Sequence, residues 1–158
     1  MEKEHHYSIA VVWTGNKGEG TKTYRSYDRD HLIAAEGKVP IDGSSDPKFH
    51  GSPARYNPEE FLVASLSSCH MLWYLHLCAV NKVVVTDYRD QANGEMMERP
   101  DGSGYFRSVM LNPVITVTDA SMIAKAESLH EEAHKLCFIA NSVNFPVSHK
   151  ATCKVASR

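Results

Sequence analysis

The groups in this chain best able to do chemistry are its four cysteines, Cys69, Cys78, Cys137 and Cys153, and the histidines placed among them. Three arrangements are open. The first is His130-Glu131-Glu132-Ala133-His134, an H-E-x-x-H motif whose two imidazoles share one helical face and can hold a zinc ion, with the glutamate as base. The motif is short, carries charged Glu132 at a variable position, and lacks the glycine and third histidine of its longer form between Leu136 and Asn141. Polar residues on a half-exposed helix explain it more simply than a metal-dependent hydrolase. The second arrangement pairs cysteine with histidine. Cys69 and His70 are adjacent and diverge by about 100° around a helix, whereas Cys69 and His76 share a face about 10 Å apart along the axis. Neither spacing makes a nucleophile–base dyad, and a buried cysteine or histidine in a core helix is more often plain packing. The third takes Cys69 and Cys137 together, on two helices whose close packing would bring the sulfurs within bridging range. A reactive thiol needs a cation to stabilise its thiolate, and a carboxylate gripping an arginine fixes that cation in place. Arg25 or Arg29, with Glu59, can supply these parts.

Elements predicted from the pattern of the chain must position those residues. Alternation over residues 7–13 sets Tyr7, Ile9, Val11 and Trp13 on one face of a strand. Partner strands are predicted over residues 21–27 and 32–35, beyond a glycine-rich turn at 15–20. The Gly-, Pro- and Ser-rich stretch 37–57 reads as a long loop of the kind that tends to carry function. Asn57 as N-cap, Pro58 in the first turn and Glu59-Glu60 against the dipole start a helix that runs to about Val80 and carries Cys69. Strands over 82–90, 105–111 and 114–118 follow, with hairpin turns at Asn93-Gly94 and Asp101-Gly102. Asp119 or Ser121 caps a second helix ending near Phe138, and Pro146 leads into a last strand over 147–155. The fold class is α+β.

Composition excludes several functions. With 158 residues, 42% apolar and 23% charged, the chain is predicted to form a single globular domain over residues 1–158. A formal charge of −2 gives no electrostatic reason to bind nucleic acid or an anionic membrane. Four cysteines are too few for a disulfide scaffold, and the opening MEKEHHYS lacks a signal-peptide core, so a cytoplasmic location with reduced thiols is expected. Residues 61–80 contain no Asp, Glu, Lys or Arg. That length can span a bilayer, but Ser65, Ser67, Ser68, Cys69, His70, His76 and Cys78 interrupt it and no second apolar segment accompanies it. A helix apolar all round must be buried all round, and a chain with two helices cannot cover it alone. A homodimer is expected.

At the same residues the chain resembles the OsmC/Ohr family, named for osmotic induction and organic hydroperoxide resistance, in its OsmC-like branch. The resemblance runs over about residues 7–153 and is carried by two segments. Tyr56-Asn57-Pro58-Glu59-Glu60-Phe61-Leu62-Val63-Ala64-Ser65-Leu66-Ser67-Ser68-Cys69 is similar to the family's Asn-Pro-Glu-Glu start of a central helix with a reactive cysteine. His134-Lys135-Leu136-Cys137-Phe138-Ile139-Ala140-Asn141-Ser142 is similar to the segment carrying its second cysteine.

The resemblance implies an intertwined α+β homodimer, with curved antiparallel sheets around two central helices and sites at the subunit interface. It implies a thiol-dependent peroxidase for organic hydroperoxides. Cys69 matches the peroxidatic cysteine that becomes a sulfenic acid, and Cys137 the resolving cysteine that closes a disulfide with it. Glu59 matches the carboxylate that holds the catalytic arginine; Arg25 falls at that arginine, with Arg29 as the alternative. No bound cofactor is implied, and electrons come from an external dithiol or lipoyl-type reductant. Trp73, Phe138 and Phe145 flank the two segments and suggest an apolar mouth for bulky alkyl or aryl hydroperoxides. His70 departs from the hydroperoxide-resistance branch, which usually has an apolar or aromatic residue there. Cys78 and Cys153 match nothing in the motifs. A redox-sensing or binding protein with little turnover is the alternative on the same fold.

Overall fold

A computed structural model describes residues 2–157, in which the chain forms nine strands, two α-helices and three short 3-10 turns. It divides into two compact units, Met1–Phe61 and Leu62–Arg158.

The first unit is an antiparallel sheet of β1 (Ala10–Trp13), β2 (His31–Ala34) and β3 (Ile41–Gly43), in register from Ala10 opposite Ala34 to Leu32 opposite Asp42. Residues 21–27, expected as a strand, form turns, with a single bridge from Tyr27 to Asn16. Side chains there take the backbone groups a ladder needs. Asn16 Oδ1 accepts from the amides of Gly18 and Gly20, and the Arg29 guanidinium donates to the carbonyls of Tyr24 and Tyr27. The stretch 37–57 is not one loop: it contains β3 and a short turn, Pro47–Phe49, capped by Asp46. Ser44, wholly buried, donates its hydroxyl to Asp30 and accepts from the Ser52 amide, closing that stretch on itself. No apolar side chain of the described residues in this unit is buried, while Val11, Val12, Trp13 and Ile41 are exposed.

Helix α1 (Pro58–Val80) begins in a reciprocal cap, the Glu60 amide donating to Asn57 Oδ1 at 2.8 Å and the Asn57 amide donating to Glu60 Oε2 at 3.0 Å. Glu59 and Glu60 in its first turn complement the dipole. By length and composition α1 could cross a membrane, but Leu66, His70, Tyr74, Leu77 and Cys78 form a buried stripe along it. The expectation of burial on every side is not met within one chain: Leu72 and Val80 stand exposed.

The second unit holds two three-stranded sheets. One has the order β4 (Val85–Asp90), β7 (Pro113–Val117), β9 (Thr152–Val155), and the other β5 (Asn93–Glu98), β6 (Gly104–Leu111), β8 (Val147–His149). Asn93-Gly94 is not a hairpin turn but the start of β5, whose partner is β6. Gly94 is there for packing, since a Cβ would meet Phe106 and Val63 at 2.7 Å. The Asp101-Gly102 turn does form, with Gly102 at φ 83°. The expected last strand is two: β8 joins β6 and β9 joins β7, both parallel, so these sheets are mixed rather than purely antiparallel. Residues 147–155 run beside 109–117 and change sheets where that segment does, around Asn112, whose amide donates to Asp90.

Helix α2 (Ile123–Leu136) follows a 3-10 turn capped by Asp119, and Cys137 is its C-cap. One core cluster joins α1, α2 and β7 through Tyr74, Leu77, Val83, Ile115, Val117, Ala126, Leu129 and Ala133, with Val85 and Tyr88 of β4 and Cys153 of β9 packed against it. A second gathers Leu66, Val109 and Leu111. Burying one such Leu or Ile side chain stabilises the unit by about 1.5–3 kcal/mol.

Candidate active site

Cys69 lies midway along α1, half-buried, and Cys137 ends α2, 1% exposed. The two thiols are near enough for Cys69 to add to the upward push on Cys137. Cys137 Sγ also accepts from the Ala140 amide at 3.4 Å. Burial is the main cause that pushes the Cys137 thiol up to about 11, so at neutral pH it keeps its proton. All four cysteines are free thiols.

A cavity of about 560 Å³ opens at Cys69, lined by Cys69, Leu72, Trp73, His76, Phe138 and Ile139. Ser65 and Ser68 also reach it, but each donates its hydroxyl to a carbonyl one turn back, of Leu62 and of Ser65. The rings of Trp73 and Phe138 meet edge to face, centroids 5.5 Å apart. The lining thus presents one thiol in an apolar, aromatic wall, suited to the organic part of a small substrate. Phe145, expected at this mouth, packs instead on Phe106 in the second core cluster.

The histidines occupy the other side of α1. His70 Nε2 and His130 Nδ1 are 3.0 Å apart, and the rings lie within 6° of coplanar. Tyr74 stacks on His130, and His149 from β8 sits 5.4 Å from the His70 ring and 5.8 Å from those of His130 and His134. Glu131 pairs with His149 at 3.3 Å. Burial first, then the neighbouring imidazoles, lowers His70 to about 4 and His130 to about 3. The H-E-x-x-H motif is therefore spent on packing: His130 bonds His70 and Glu131 turns to His149. Among the described residues no three His, Cys, Asp or Glu side chains are placed to hold a metal ion. Sequence reasoning missed this array because His149 reaches it only through the β6–β8 pairing.

The charged candidates lie in the first unit. The Arg29 guanidinium lies over the Tyr24 and Tyr27 rings, 4.3 and 4.1 Å from their centroids, besides its two carbonyl bonds. Arg25 is exposed. Among the described residues neither makes an ion pair with Glu59, and the carboxylates of Asp30 and Asp42 are taken by Arg55. Cys78 and Cys153 belong to the first core cluster or its edge, and burial raises both thiols.

The OsmC-like protein family matches residues 50–152, the stretch that includes α1, α2 and both cysteines. An OsmC-like protein of unknown function from Vibrio cholerae is 32% identical, with a TM-score of 0.83 over 94% of this chain and 100% of that one. An OsmC-like protein from Mycoplasma pneumoniae has a TM-score of 0.72 at 15% identity, over 96% of this chain and 99% of that one. An organic hydroperoxide resistance protein from Elizabethkingia anophelis has a TM-score of 0.67 at 18% identity, over 98% of this chain and 100% of that one. The last two likenesses are likenesses of fold. No curated protein matches the chain.

Proposed function

This chain belongs to the OsmC-like family, and we propose on that footing that it is a thiol-dependent peroxidase for organic hydroperoxides. The observation that carries this reading is one accessible thiol, Cys69, in the wall of an apolar cavity, with a second thiol, Cys137 at the end of another helix, near enough to influence it. Cys69, the more accessible thiol, attacks the O–O bond as thiolate; its sulfur takes one oxygen and becomes a sulfenic acid, and the other oxygen leaves with the organic group and picks up a proton as the alcohol. Cys137, kept protonated until then, attacks the sulfenic sulfur, forms the Cys69–Cys137 disulfide and releases water. An external dithiol or lipoyl-type reductant exchanges with that disulfide and leaves oxidised itself. No bound cofactor enters this cycle.

Arg25 is our choice for the cation that favours the Cys69 thiolate, with Glu59 to orient it, because Arg29 is already committed to two carbonyls and two aromatic faces. The uncovered faces of α1 and the coreless sheet β1-β2-β3 support a homodimer in which a second copy covers them. Free thiols throughout suit a reducing, cytoplasmic setting.

The test is consumption of an aryl hydroperoxide by the pure protein with excess small dithiol, with and without chelator. Turnover indifferent to chelator is expected. Stoichiometric oxidation without turnover would favour a redox sensor on the same fold, and chelator-sensitive hydrolysis a metal enzyme.

A further inference from the structure

The cavity has a polar group at each end, and the peroxidase reading uses one of them. Successive turns of α1 face it with Ser65, then Ser68 and Cys69, then Leu72 and Trp73, then His76. The thiol and the imidazole are seven residues apart on this stripe, about 10 Å along the axis. Between them the wall is apolar and aromatic, built from Leu72, Trp73, Phe138 and Ile139.

His76 has no other work in the fold. It is exposed, and among the described residues its ring makes no hydrogen bond or ion pair. It stands perpendicular to Trp73, centroids 5.9 Å apart at 82°, as Phe138 does at 5.5 Å and 89°, so Trp73 sets the place of both. At about 10 Å it is too far from Cys69 to serve as its base. Besides Cys69, it is the one side chain of the lining that can carry a charge.

The two ends are not interchangeable. Ser65 and Ser68 spend their protons on the carbonyls of Leu62 and Ser65, so beside Cys69 their oxygens can only accept. That end suits the O–H of a hydroperoxide and repels an anion. The imidazole keeps at least one N–H in either protonation state. A carboxylate accepts from such a donor in a charge-assisted bond, whereas a phosphate draws on several donors, which this end of the cavity lacks.

We propose that the site takes hydroperoxides of carboxylic acids, and that His76 is the specificity residue, holding the carboxylate about 10 Å from the O–O bond while the carbon chain lies along Leu72, Trp73 and Phe138. This rests on the peroxidase reading and names its substrate class. The bonds made and broken at Cys69 are those already described, and the alcohol released is the corresponding hydroxy acid. A span of about 10 Å calls for an extended chain of about eight carbons, and about five fall short.

The experiment compares each acid with its own methyl ester. With excess small dithiol, kcat/KM is measured for ω-hydroperoxyoctanoate, for ω-hydroperoxypentanoate and for both esters, in the native protein and in His76→Leu. Native protein should prefer the eight-carbon acid to its ester by roughly tenfold and show no such preference for the five-carbon acid. His76→Leu should bring the eight-carbon ratio close to one, and His76→Gln, which keeps an N–H donor, should retain part of it. Equal rates for the eight-carbon acid and ester in native protein overturn the proposal. So does a preference that survives in His76→Leu, or one of the same size at both chain lengths. Calorimetry with ω-hydroxyoctanoate and its ester separates the two readings. If no hydroperoxide is consumed, the peroxidase reading has failed, and binding then decides on His76 by itself. Carboxylate-dependent binding that is lost in His76→Leu supports the recognition, and binding indifferent to the carboxylate or to the residue overturns it.

Discussion

Cys69 and His70 are neighbours on α1, yet they belong to regions of opposite character. The cysteine side is open and apolar, a cavity walled by Leu72, Trp73, Phe138 and Ile139. The histidine side is more closed and polar: His70 and His130 are buried, His149 and His134 sit beside them, and Glu131 reaches His149 from the surface. Both sides are built from the same two helices, and both hold a pair of neighbouring titratable groups. Burial acts on the pairs in opposite senses and to one end: it raises the Cys137 thiol and lowers the His70 and His130 imidazoles, so each is neutral at pH 7. The difference lies in access. Only on the cysteine side does one member of the pair, Cys69, open onto space that a substrate can enter, so chemistry belongs there.

The largest effect should come from the open side. Cys69→Ser replaces the thiol by a hydroxyl that does not ionise near neutral pH, so peroxide consumption should fall by at least roughly a thousandfold, about 4 kcal/mol in barrier. The circular dichroism spectrum and thermal midpoint should stay as they were. Cys137→Ser should instead complete the first oxidation and then accumulate sulfinic or sulfonic Cys69 as peroxide rises, seen by mass spectrometry. If Cys69→Ser retains activity while a histidine variant abolishes it, the roles of the two sides are reversed.

The closed side should show itself in stability. Unfolded histidines titrate near the ordinary 6.5, while His70 titrates at about 4 in the fold, so one such site is worth on the order of 3 kcal/mol above pH 6.5. Because the folded value is the lower one, the unfolded chain binds more protons in acid. Stability is therefore complete above pH 6.5 and drains as the pH falls toward 4. Urea midpoints at pH 7, 5.5 and 4.5 should drop steadily in the native protein and much less in His70→Phe/His130→Phe. Parallel curves would show that the array does not set acid sensitivity.

How much of this was legible in the sequence differs between the two sides for a physical reason. The thiol side is written in local signals: the Asn57–Glu60 cap, Pro58 and an uncharged run fix α1, and the two cysteines fall on helices whose packing then brings them together. The histidine side depends on pairing between distant strands, so His130 and His134 read as polar residues on a half-exposed helix while His149, the ring they both approach, went unnoticed. Residues 21–27 alternate well enough for a strand, but Arg29 and Asn16 draw their backbone into turns. Asn93-Gly94 has hairpin chemistry, yet the glycine answers to Phe106 and Val63 rather than to a turn.

The two arginines make a smaller test within the first unit. Arg25→Lys should lower kcat/KM for hydroperoxide about tenfold, near 1.4 kcal/mol, if its guanidinium supports the Cys69 thiolate. Arg29→Lys removes a planar group held by two carbonyls and two tyrosine faces, and should lower the thermal midpoint with little change in rate. The opposite pattern would move the catalytic role to Arg29.

The smallest effect concerns the wall of the cavity and asks whether the open side recognises its substrate by apolar contact. Phe138 is 65% exposed and meets Trp73 edge to face at 5.5 Å, so it can be removed without opening a hole in the core. An aromatic pair of this kind contributes roughly 0.5–1.5 kcal/mol beyond its area. A bulky aryl group bound between these rings would lose a similar amount, whereas hydrogen peroxide is too small to touch them. Phe138→Ala should therefore lower kcat/KM for an aryl hydroperoxide by about two- to tenfold, with hydrogen peroxide nearly unaffected. Since the residue lies one position beyond Cys137, the rate of disulfide formation after a single equivalent of peroxide must be measured alongside. If both peroxides slow equally and disulfide formation slows with them, Phe138 acts by holding the end of α2. If only the aryl substrate slows, the apolar wall is the recognition surface, and the contrast between an apolar face for binding and a polar face closed to substrate stands.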